Sequence, residues 1–189
     1  MAELKKVTTP IFRVSFPNIF TPTSFDGGPA KYGVSMLFEP AKFSEADKKA
    51  WAAMKALADE VSKNAFKKAL KDLPDNFKKA FRRGEEKEGL DGYGPGIIFV
   101  NATSKMKPGL IDKDKTIITD QESFYAGCYA RATVVCFSFD NKGKGIAFGL
   151  NNLQKVRDGE AFSGRTDASE DFDDDLEAGA STAEDDPLA

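Results

Sequence analysis

The chain contains no histidine. Without imidazole there is no Ser-His-Asp triad, no His-ligated zinc and no histidine acid–base step. Cysteine is nearly as scarce: Cys128 and Cys136 are the only two, too few for a four-thiolate zinc site. They fall on one alternating stretch, about 26 Å apart at about 3.3 Å per residue, which is far outside disulfide reach and reads as two buried thiols. No apolar run of about 18 residues occurs, and Met1 to Lys6 leads into no apolar segment. Neither a membrane span nor a secretion signal is therefore expected, and a reducing cytoplasm is the expected compartment. The glycines lack the following Lys-Ser/Thr of a phosphate-cradling loop. Basic residues are missing altogether from Asp167 to Ala189.

That last gap organises the charge. The chain carries 27 Lys+Arg against 30 Asp+Glu, but ten of the acids lie in residues 167–189, so the rest holds 27 basic and 20 acidic residues. A body of +7 is thus joined to a segment of −10. Residues 1–166 are expected to form one domain around its own core, and 167–189 a disordered acidic tail. A basic body suits a polyanion, and a tethered acidic segment can cover the same surface.

The body alternates between periods. Val7 to Phe16 reads as a strand with Phe12, Val14 and Phe16 on one face and a basic face at Arg13, with Pro10 near its start. Pro17 to Pro29 reads as a long loop. Lys31 to Glu39 is a second strand with Tyr32, Val34, Met36 and Phe38 sharing a face. At Ser44 the period changes: its hydroxyl can cap a helix, and Trp51, Met54, Ala58, Val61, Ala65 and Leu70 form the buried stripe. Pro74 ends this helix or opens a second, in which Phe77 and Phe81 stack four residues apart before Gly84 terminates it. Gly96 to Lys105 is a third strand, Lys107-Pro108-Gly109 a turn, and the stretch to Gln121 a projecting loop or hairpin. From Tyr125 to Phe139, small residues (Cys128, Ala130, Ala132, Val134, Cys136) face inward while Tyr129, Arg131, Thr133, Val135 and Phe137 face outward. Asp140 to Gly143 turns into a last strand from Ile146 to Val156. The count is about five strands, taken as antiparallel, and one or two helices: a mainly β domain with a helical insertion.

An antiparallel sheet whose outer face mixes rings and cations can hold single-stranded nucleic acid, because bases stack on the rings while cations follow the phosphates. The candidates are Arg13, Lys31, Phe99, Lys105, Lys107, Tyr125, Tyr129, Arg131, Lys155 and Arg157. Arg131 stands out, since a mid-strand arginine calls for an anion. Most of the 16 phenylalanines, including Phe12, Phe16, Phe38, Phe77 and Phe81, are assigned to the core on ordinary burial preferences. Phe99 and Tyr129 divide between stacking platform and second-layer core, and the lysines from Lys48 to Lys79 read as a solvated helix face. Two other classes stay open. A Mg²⁺-dependent nuclease would need Asp91, Asp112, Asp114 and Asp120 to converge; an acidic protein-interaction or chaperone module would work through the tail alone.

The segment Ser123-Phe124-Tyr125-Ala126-Gly127-Cys128-Tyr129-Ala130-Arg131-Ala132, then Asn141-Lys142-Gly143, then Gly149-Leu150-Asn151-Asn152-Leu153-Gln154-Lys155-Val156-Arg157-Asp158-Gly159-Glu160, resembles the signature of a tailed-phage family once catalogued as a domain of unknown function. That family is described as single-stranded-DNA-binding proteins. The resemblance covers most of residues 7–166. It implies an OB-fold-like barrel with an acidic C-terminal tail, and sequence-independent protection of single strands in phage replication or recombination. No enzyme activity, metal or cofactor is expected. A 23-residue flexible tail would span roughly 26 Å and reach the groove, competing with DNA. Once displaced, Asp171, Phe172, Asp173, Asp174, Asp175, Asp185, Asp186 and Leu188 would recruit replication or recombination proteins. Homo-oligomerisation, and DNA over RNA, stay open at this stage.

Overall fold

The computed structural model describes residues 4–24, 27–141 and 143–162. The acidic segment, with its candidate partner-binding residues, lies outside the described residues. The strands are β1 (Lys6–Thr8), β2 (Phe12–Thr23), β3 (Lys31–Phe38), β4 (Arg82–Arg83), β5 (Ile98–Ser104), β6 (Gly109–Ile111), β7 (Tyr129–Asp140) and β8 (Lys144–Arg157), with one α-helix, α1 (Glu45–Phe66). Five of them close on themselves in the order β7-β2-β3-β5-β8, with β8 returning to β7. This ring is the expected OB-fold barrel. Its closure is not wholly antiparallel, because β5 and β6 both join β8 in parallel.

The inner face is packed by Phe12, Val14, Met36, Phe38, Val100, Ala102, Val134 and Phe148, each at most 1% exposed. Along β7 the inward positions are small, as the alternation requires. Ala130, Ala132 and Cys136 leave room for the large rings of β2, β3 and β8. Both thiols are free and buried, and desolvation pushes Cys136 up to about 12.

Helix α1 starts where Ser44 predicts it. The Ser44 hydroxyl accepts from the Asp47 N–H at 3.1 Å, and the Asp47 carboxylate accepts from the Ser44 N–H at 3.2 Å, a reciprocal capping box. Asp47 also accepts from Ile11 N–H at 3.0 Å, which ties the helix start to the approach of β2. The buried face is Met54, Leu57, Ala58 and Ser62, packed against β1, β7 and β8. It is rotated from the expected stripe: Ala65 is exposed and Leu70 lies beyond the helix.

Three expectations fail locally. The single strand from Val7 to Phe16 is two strands split around Thr9–Ile11, paired with β7 at residues 133–135 and 129–130 respectively. The expected loop from Pro17 is instead strand through Thr23. Pro17 and Pro22 are tolerated because β2 pairs with β7 only at Phe12 and Arg13, leaving no ladder partner for the missing N–H groups. The second helix does not form. Lys78 donates to Lys144 O at 2.8 Å and accepts from Ile146 N–H at 3.3 Å, holding its backbone against β8. Phe77 then packs on Phe66, and Phe81 on Trp51 and Phe148, so the two rings face different partners rather than each other. Gly84 sits where a Cβ would meet the Gly94 carbonyl at 2.8 Å, so it serves a close backbone approach rather than a helix end.

With both thiols buried and protonated, a colourless-to-coloured thiol reagent at neutral pH is expected to leave the folded protein unmodified and to titrate both cysteines after denaturation. Stoichiometric modification of the folded protein would show that this side of β7 is open.

Candidate nucleic-acid interface

The strand register lines up one transverse row on the outer surface. Arg157 pairs with Tyr129, Tyr129 with Arg13, Arg13 with Leu37, Leu37 with Phe99 and Phe99 with Arg82. Arg157 lies over the Tyr129 ring at 4.1 Å from its centroid, and Arg13 approaches the same ring at 5.7 Å. Two further rows follow along β3: Ser15–Ser35–Asn101, then Asn18–Gly33–Thr103. Lys31 and Lys105 share the outward parity of these positions and stand exposed beyond the last row. In OB-folds this outer face, over the second and third barrel strands, is the one that takes oligonucleotides.

Neighbouring segments hold the row in place. Arg13 donates from Nε to Gly127 O at 3.1 Å and from a terminal nitrogen to Glu160 O at 2.7 Å. The segment after β8 is fixed by Phe162 N–H donating to Ala126 O at 3.0 Å, by Gly159 N–H donating to the Tyr125 hydroxyl at 3.2 Å, and by the Phe162 ring lying 4.3 Å from the Arg13 guanidinium. Phe162 reaches the face because Gly92, at φ +83, has no side chain: a Cβ there would meet the Phe162 ring, at 2.5 Å from Cζ, as well as Leu37 Cδ1 at 2.8 Å. Arg13, Arg131, Arg157, Lys31, Lys105 and Lys107 have no carboxylate partner among the described residues. The ion pairs there involve other cations, such as Lys63 with Asp59 and Lys155 with Asp158.

The expected site residues divide. Arg13, Tyr129 and Arg157 are brought together, and Arg131 stands one outward step further along β7, its Nε donating to Gln154 Oε1 at 2.8 Å. Lys31 and Lys105 mark the far end of the face, and Lys107 lies 5.9 Å from the Phe20 ring. Phe99 is a correction: it points outward but is 0% exposed, roofed by Arg82 at 4.8 Å, Lys87 at 5.0 Å and Tyr93 at 5.3 Å, so no base can stack on it. Tyr125 and Lys155 are a second correction. Lys155 pairs with Ala130, an inward position, and its ammonium is 2.6 Å from Asp158, while the Tyr125 hydroxyl donates to the same carboxylate at 2.9 Å. Hydrogen bonds from Lys155 and then Tyr125 hold the Asp158 carboxyl below the usual carboxylate range. The pair therefore anchors the segment after β8. The four acids of the nuclease reading do not converge. Asp112 caps its own turn at Asp114 N–H and Thr116 N–H, Asp120 caps at Ser123, and no group of three ligating side chains gathers among the described residues.

Sequence reasoning missed the roof over Phe99 and the role of Phe162, since both depend on segments distant in sequence. Phe16 was also misplaced: it is 51% exposed at φ 45, not in the core.

The fold and its unneutralised cationic face define the class, an OB-fold protein with a ring-and-arginine outer surface. The chain belongs to the family described as Enterobacter phage Enc34, ssDNA-binding protein, whose model matches residues 5–186. A relative from Acyrthosiphon pisum secondary endosymbiont phage 1, "Putative protein p50", is 32% identical over 166 residues, covering 86% of this chain and 89% of that protein. The single-stranded DNA-binding protein from bacteriophage Enc34, solved in complex with ssDNA, matches with a TM-score of 0.63 at 24% identity, over 83% of this chain and 89% of that one. gp2.5, a single-stranded DNA-binding protein encoded by bacteriophage T7, matches with a TM-score of 0.57 at 13% identity, over 95% and 100%. These two likenesses show the shared fold.

Gly127, at φ +111, has no room for a Cβ against the Glu160 carbonyl. Gly127→Ala is expected to cost about 1–3 kcal/mol, measured by urea denaturation, because it adds strain and displaces the segment that holds Arg13. A change within error would mean that this segment is not seated as described.

Proposed function

We propose that this protein binds single-stranded DNA without sequence preference through the outer face of β2, β3, β5, β7 and β8, and protects it during phage replication or recombination in the host cytoplasm. The observation that carries the reading is the Arg157–Tyr129–Arg13 row, a ring flanked by two guanidinium groups that have no carboxylate partner among the described residues. A ring offers a sequence-blind surface to any base, and the guanidinium groups neutralise phosphates. Family membership supports the same reading, and binding alone requires no catalytic group.

The acidic segment 167–189 acts as a competitor for this surface. The described chain ends at Phe162 on the cationic face, so the ten carboxylates follow a short stretch beyond it. When DNA displaces them they are released to recruit replication proteins.

Fluorescence anisotropy with oligo-dT, beside duplex DNA of the same length, tests the first claim. Tight binding to oligo-dT and weak binding to duplex is expected, and Tyr129→Ala should lower the single-strand affinity about 5- to 150-fold, the value of one stacked base at about 1–3 kcal/mol. Arg157→Ala should also reduce the slope of log affinity against log salt by about 0.7. Equal affinity for both DNA forms, or no effect of Tyr129→Ala, would overturn the reading. Truncation after residue 162 is expected to tighten binding at low salt; unchanged affinity would remove the competitor role.

A further inference from the structure

We propose that Phe16 is a second base-stacking residue, re-aimed onto the DNA face by a β-bulge whose conformation favours glycine. This inference rests on the single-stranded-DNA reading above.

The bulge is visible in the register. Ser15 pairs with Ser35 and Asn18 with Gly33, so β2 advances three residues where β3 advances two. The extra residue falls at Phe16–Pro17, and Phe16 takes φ 45. A bulge with a left-handed residue ordinarily carries glycine there, because a Cβ at positive φ is strained. A bulky ring in that conformation is an outlier that local folding does not explain.

The consequence of the bulge is where the ring goes. Without it, Phe16 would continue the inward parity of Phe12 and Val14, which are 1% and 0% exposed. With it, the ring is 51% exposed, and no ring or cation stacks on it among the described residues. A free aromatic face is what a base needs.

The ring borders an open groove of about 400 Å³ whose other walls include Ser35, Lys87, Asn101 and Thr103. Its size falls in the range of ligand clefts. Ser35 Oγ donates to Asn101 Oδ1 at 2.6 Å, which fixes the amide so that its NH₂ group, without a partner among the described residues, is presented to the groove. One nucleotide fits this chemistry: its base on Phe16, a base or sugar acceptor at the Asn101 amide, and its phosphate toward Lys87. The groove spans the first and second rows along β3 beyond the row of Tyr129, so the two rings serve different nucleotides of one strand.

Phe16→Gly separates a structural role from a binding role, because glycine relieves the backbone while removing the ring. Its thermal midpoint is expected to equal or exceed that of the unmodified protein, while its oligo-dT affinity falls about 5- to 150-fold. Phe16→Trp should retain affinity, and its indole fluorescence should be quenched by oligo-dT beyond any response of the half-buried Trp51 in the unmodified protein. Unchanged affinity for Phe16→Gly, a lowered melting temperature in that variant, or an unquenched indole in Phe16→Trp would each overturn the proposal. If the unmodified protein fails to bind oligo-dT, the single-strand reading itself falls. If it binds and Tyr129→Ala weakens it while Phe16→Gly does not, only the role of Phe16 is lost.

Discussion

Small side chains inside β7 hold the arrangement in register. Ala130, Ala132 and Cys136 fill the inner positions, which forces Tyr129, Arg131 and Thr133 outward. A slip by one residue would exchange the two sets and put a guanidinium and a phenol into a core packed by Phe12, Phe38 and Phe148. An unpaired charge in such a core is far too costly, so the pairing of β7 with β2 and β8 is fixed by exclusion as much as by hydrogen bonds. The outer row from Arg157 to Arg82 follows from that pairing, because each neighbour in it is set by strand register rather than by side-chain choice.

Where the sequence alternates cleanly, it was readable. The inward set of β7, the shared face of Val34, Met36 and Phe38, and the Ser44 cap are all local patterns, and each stands as the residues imply. The charge division is legible in the sequence too. What failed was long-range. Phe99 has the parity of an exposed residue, and only the chain from Arg82 to Tyr93, folded back over β5, buries it. Lys155 looks equivalent to Arg157, but a register irregularity between Tyr129 and Ala130 turns the two to opposite sides of the sheet. The bulge at Phe16 is similarly silent, since a phenylalanine gives no hint that it will adopt a conformation favoured by glycine.

The cations of this protein are held in two different ways, and the difference has consequences. Lys155 is neutralised by Asp158 and contributes to anchoring the chain after β8. Arg13 is instead positioned by neutral groups, the carbonyls of Gly127 and Glu160 and the faces of Tyr129 and Phe162, which orient the guanidinium while leaving its net charge in place. A carboxylate partner would have to be displaced before a phosphate could bind, whereas carbonyls and rings do not compete for the charge. Pre-organisation by neutral contacts therefore suits a surface whose ligand is an anion.

That arrangement also leaves Arg13 and Arg157 on either side of one ring, a like-charge pair that the described residues do not relieve. Their mutual repulsion is a standing cost to the folded barrel, diminished by salt and removed by any polyanion that bridges them. On the proposed reading two polyanions would do so, the phosphates of a bound strand and the ten carboxylates of residues 167–189. Because both would relieve the same repulsion at the same place, their effects on the barrel cannot be additive. On the proposed reading, an acidic segment that stabilises the empty protein would, to the same extent, weaken its hold on DNA.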